Sequence, residues 1–187
     1  MADAREELAL EEYRALRATI RERGTTRLIV TAITFIGWAV VLILGWPVLA
    51  SSALAALVPL VLLAAGFEAV FAAHVAAERV GRYVSVQFEG DGRLAPRWEH
   101  AVLAFSGRRA ALSIDPLNGT LFLGAAFVNV LPWLRRAWYS DPFPAGEVMA
   151  AVVVAFAHGF FVIRVRRALQ FAKQQRQHDT GILERLD

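Results

Sequence analysis

Glu68 interrupts the apolar run 54–77, and His158 sits inside another, 147–165. A carboxylate and an imidazole in such surroundings can relay a proton, hold a cation, or close one buried hydrogen bond. An ionised carboxylate far from water is costly, so Glu68 must be protonated, paired, or facing a wet cavity. Counted at about 1.5 Å per residue from the outer ends of the two runs, Glu68 lies roughly 22 Å deep and His158 roughly 18 Å. The shared depth marks Glu68 and His158 as an intramembrane polar pair. One pair does not make a path across a bilayer. The preferred role is therefore structural, a hydrogen bond that fixes helix packing or is completed by a partner. A proton or cation relay is the functional alternative.

A second group starts at His74, inside the same run and about 31 Å from its outer end, and continues past the end of the run with Glu78, Arg79 and Arg82. His74 and Glu78 are four apart and can pair along a helix, while the arginines reach lipid headgroups. The bland reading is a helix leaving the bilayer. The functional one is a patch for anionic lipids or a partner, continued by Arg108 and Arg109. Two histidines in a helical bundle also raise haem, but axial ligands need similar depth, and His74 and His158 differ by about 13 Å. Asn129 is only about 7 Å from the outer side, too shallow to join Glu68 and His158 around a metal. With no cysteine, thiolate sites and disulfides are excluded. There is no Gly-rich phosphate loop, no HExxH and no GxSxG, and nothing orients Ser106 and His100 for catalysis. The expectation is no catalytic residue, no metal and no cofactor.

The elements that must position these residues are membrane helices. Hydrophobic residues make up 57% of the 187, and mean hydropathy is +0.45. Four runs are long enough to be spans: about 28–50, 54–77, 117–134 and 147–165. The N-terminal arm carries six basic residues, the connection 79–116 six, and the C-terminal end six more. The other two, Arg135 and Arg136, follow the third run. By the positive-inside rule both termini are cytoplasmic. The pI near 9.9 then reflects topology, and nucleic acid is not an expected partner. The lone lysine among the 20 basic residues suggests a GC-rich bacterial genome and hence a bacterial inner membrane.

Residues 1–27 form an expected cytoplasmic helix with an apolar stripe at Ala9, Tyr13, Leu16 and Ile20 and a C-cap at Gly24. Within 79–116, Val80, Val84 and Phe88 continue the preceding helix. Pro96, Trp98, Val102 and Phe105 then outline a short interfacial helix. Residues 168–187 form a cytoplasmic tail. On the second span, Gly66, Ala69, Ala73, Ala76 and Ala77 make a small-residue face suited to close helix packing. The fold class expected is an all-α integral membrane protein, four spans in a bundle with an N-terminal amphipathic helix. The function expected is a non-catalytic subunit, an accessory or assembly component, or a homo-oligomer. The alternative is a small proton, cation or solute transporter.

Overall fold

In the computed structural model, the residues whose placement is described are 2–84, 88, 114–139 and 145–183. They are helical almost throughout, with no strand among them. The helices are α1 (Ala2–Ser51), α2 (Leu57–Val84), α3 (Ile114–Val128), α4 (Leu131–Tyr139) and α5 (Ala145–Leu183); a 3-10 turn, Ala53–Ala56, joins the first two. Three helical stretches, within α1, within α5, and from the 3-10 turn through α2, are long and apolar enough to cross a membrane. The expected third span is not among them. It is broken at Asn129 and Val130, leaving α3 at about 22 Å, shorter than a hydrocarbon core of about 30 Å. The cause is Pro132, which has no N–H to continue the ladder. Val130 N–H instead bonds the Phe127 carbonyl at 3.3 Å, a tightened turn, before Leu134 N–H to Val130 (2.9 Å) starts α4.

The arm 1–27 is not a separate helix. α1 runs through Gly24, which takes no left-handed conformation and therefore does not cap. A mid-helix glycine costs only about 1 kcal/mol, which by itself does not end a long helix. α5 likewise continues past residue 165 as far as Leu183, so most of the expected tail is helix. The expected interfacial helix lies outside the described residues, as do Arg108 and Arg109.

Two compact units divide the chain. One combines Met1–Leu28, Val70–Ser113 and Phe171–Asp187. Its α1 segment turns a half-buried face, including Ala9, Tyr13, Leu16 and Ile20, inward. Tyr13 meets Phe88 with ring centroids 5.8 Å apart, and Phe88 in turn meets Tyr83 at 6.1 Å. Val84 and Phe88 are both buried. Phe71 and Phe171 tie α2 to α5 within the same unit.

The other unit, Ile29–Ala69 with Ile114–Gln170, is built around aromatic rings. Phe122 of α3 is fully buried between Phe35 of α1 and Phe67 of α2, and Phe67 also meets Phe161 of α5. Along α2, Leu60, Leu63 and Phe67 recur at three and four residues to form the buried stripe. Outward, Ile36, Ile43, Leu44, Val61, Phe156 and Phe160 are each at least 65% exposed. A helical body that is apolar both inside and outside suits hydrocarbon as its solvent.

Candidate functional site

The polar residues within the second unit form three sites, each joining separate helices. At the first, Arg164 Nη2 of α5 donates to Glu68 Oε2 of α2 at 2.6 Å. The neighbouring residues Phe67 and Phe161 pack as a T-shaped pair beneath it, which fixes how far apart the two helices stand here. The side chains stay 48% (Glu68) and 34% (Arg164) exposed, so the ion pair lies on the flank of the unit.

Glu68 and His158 are not brought together. His158 Nδ1 donates to the Val154 carbonyl on its own helix at 2.9 Å, which leaves Nε2 as a buried acceptor with no hydrogen-bond partner. Depth alone could not choose between the two α5 residues, but azimuth does. Six residues from His158 to Arg164 rotate by about 600°, so the two side chains leave the helix in different directions.

The second site clasps the end of the unit where α1 stops and α5 starts. Glu147 Oε2 accepts from the Ala53 backbone N–H and from Trp133 Nε1, both at 3.3 Å. It thereby satisfies a donor of the 3-10 turn that leads into α2. Arg136 Nη1 donates to the carbonyls of Ala50 (3.3 Å) and Ser51 (2.6 Å), the orphan acceptors ending α1. Neither role was visible in sequence, because three of the four partner atoms belong to backbone remote along the chain.

The third is Asn129, fully buried at the α3–α4 break, where Oδ1 accepts from Trp38 Nε1 at 2.6 Å. The freed backbone of the break is thus set beside a polar pair. Of the proposed small-residue face, Gly66 is buried against Thr34 of α1. A Cβ there would lie 2.3 Å from Thr34 Cγ2. Ala69 is exposed, and Ala73, Ala76 and Ala77, in the other unit, are half-buried.

In the first unit, His74 stands between Arg27 and Glu78. Arg27 Nη1 approaches Nδ1 at 3.1 Å, and Nε2 lies 3.3 Å from Glu78 Oε1. Because guanidinium can only donate, Nδ1 accepts and the ring proton sits on Nε2, facing the carboxylate. Arg79 is exposed and Arg82 half-buried. Tyr83 donates its hydroxyl to Glu12 Oε1 at 3.1 Å, and that bond raises the phenol pKa above its ordinary 10.0, aided by the Glu12 charge.

Together these features define a class: an all-helical protein with helices fit to cross a membrane, held by interhelical polar clasps. No known protein family, no curated protein and no solved structure matches the chain.

Proposed function

We propose that the protein is a non-catalytic subunit of the bacterial inner membrane, one that acts by assembling with another membrane helix, in a homo-oligomer or as an accessory component of a complex. The observation that carries this is the flank position of Glu68–Arg164. An arginine or carboxylate facing lipid near the middle of a span is unfavourable by about 2.5–3.5 kcal/mol on insertion scales, and pairing with half the surface exposed relieves only part of that. A neighbouring helix carrying polar groups covers the pair and completes its hydrogen bonds.

The transmembrane arrangement proposed has four passes. α3 and α4 together reach from Leu169, near the end of the apolar stretch of α5, to the end of α1 at Ser51, through Arg136. That extent supports a broken helix crossing the bilayer. With four passes, both termini fall on the basic, cytoplasmic side.

Crosslinking in native membranes followed by mass spectrometry tests the assembly. Crosslinks from positions flanking Glu68 and Arg164 to one defined partner or a second copy are expected. The paired replacement Glu68→Leu with Arg164→Leu should weaken that association while leaving the monomer folded. Isolation of a solitary monomer from native membranes, with no crosslinked neighbour at this flank, refutes the proposal.

A further inference from the structure

The second unit contains a half-open cavity of about 360 Å³. On α5 its wall is a helical stripe, Ala151, Val154, Ala155, His158 and Val162. The opposite wall comes from α3 and α4, and the 3-10 turn closes one end. The lining is apolar apart from Trp133 and His158. Water in such a groove finds too few polar partners to be held, so an apolar occupant is favoured.

Its dimensions narrow the choice. From Ala151 to Val162 the stripe is about 16 Å long. A volume of about 360 Å³ spread over that length makes a groove narrower than a helix, which is about 10 Å across. A helix of a partner or second copy would therefore lie over the open side without filling the groove, and one inserted side chain fills only a fraction of the length. An extended hydrocarbon chain matches both.

Charge identifies the head of that chain. α4 continues from the lining residues Trp133 and Leu134 directly into Arg135 and Arg136. These are the basic residues that the charge distribution places on the outer side, where such residues are otherwise avoided. Arg136 is anchored on the end of α1, and Arg135 is exposed beside it. We propose that the groove holds one acyl chain of a bilayer phospholipid with an acidic headgroup, the phosphate resting against Arg135 and Arg136. The assignment rests on the membrane reading of the chain and is independent of any partner at Glu68–Arg164.

The test uses the full chain in phosphatidylcholine vesicles containing a trace of phosphatidylglycerol with a photoreactive diazirine midway along one acyl chain. Labelling should concentrate on α5 between residues 151 and 162 and on the facing part of α3. It should be competed by unlabelled phosphatidylglycerol and exceed that from the phosphatidylcholine analogue. Ala155→Phe, which fills the groove from an exposed position, should reduce site labelling by about tenfold. Arg135→Gln, on an exposed α4 position that folding does not need, should abolish the headgroup preference. Phe156→Ala, off the groove, should change neither. The proposal is overturned by labelling spread evenly over exposed residues such as Ile43 and Phe156, by equal labelling from both headgroups, or by protein–protein crosslinks at the groove in place of lipid.

Discussion

Replacing Gly66 by alanine tests how α1 and α2 are held together. Gly66 is buried on α2, and a Cβ added to it would lie 2.3 Å from both Thr34 Oγ1 and Thr34 Cγ2 and 2.8 Å from Thr34 Cβ. Rotating Thr34 clears at most one of the first two contacts, since its two heavy γ atoms occupy two of three staggered positions, and it leaves the third, since Cβ is fixed to the backbone. It would also disturb the Thr34 Oγ1 bond to the Val30 carbonyl at 2.7 Å. Restoring ordinary contact, which begins at 3.4 Å, therefore requires the helices to separate locally by about 0.6 Å to 1 Å. Such overpacking costs about 1–3 kcal/mol, offset by about 1 kcal/mol of improved helix propensity. The net expectation is a loss of up to about 2 kcal/mol, read as a lower midpoint in reversible unfolding in mixed micelles. Gly66→Ala with Thr34→Gly, which removes the opposing Cβ, should regain stability relative to either single change. Gly124→Ala, where nothing lies within 4 Å, should be neutral or slightly stabilising. A Gly66→Ala protein that gains stability as Gly124→Ala does refutes the close α1–α2 contact.

Tyr83 should titrate above its ordinary pKa of 10.0, because ionising it loses the hydroxyl donor to Glu12 and sets two negative charges side by side. A raised folded pKa means the stabilising bond is fully present below pH 10 and is lost as pH rises through the higher value. Tyrosinate absorbance should therefore show a late component that Tyr83→Phe removes, and protease protection of the N-terminal part of α1 should fall over the same pH range. Simultaneous titration of all tyrosines sinks this. Glu147→Ala leaves the Ala53 N–H and Trp133 Nε1 without their acceptor and should destabilise by about 1–3 kcal/mol, with a shifted Trp fluorescence spectrum. A Glu147→Gln protein keeps an acceptor oxygen and should lose much less; equal losses would place the effect elsewhere.

The apolar runs were legible because a stretch of about 20 uncharged residues has few fates other than a spanning or deeply buried helix. Helix ends were less legible. Gly24 ends a helix only if the chain turns left-handed there, and the tertiary packing of Tyr13 against Phe88 favours continuing. Pro132 was the available signal for the break in the third run, outweighed by uniform hydropathy on either side. Glu68 was singled out as the charge to explain, and the structure pairs it with Arg164 rather than His158. At the same count Arg164 lies about 27 Å deep, as far from Glu68 on one side as His158 is on the other, so depth did not select between them and only the helical azimuth does.

The distribution of polar contacts in the second unit bears on what the surface near Glu68 is for. Asn129 with Trp38, Glu147 with Ala53 and Trp133, and Arg136 with the end of α1 each join residues remote in sequence and specify which helices lie together. Replacing any of these by apolar groups of similar shape changes specificity more than gross burial, as buried polar groups do where apolar packing alone is non-selective. Glu68–Arg164 joins α2 to α5 in the same manner but stands on the flank. Phe67 and Phe161 already secure that helix contact directly beneath it, so holding α2 to α5 does not require an ion pair. A costly pair that is redundant for internal packing and presented outward is accounted for when a second helix supplies the missing half of its surroundings.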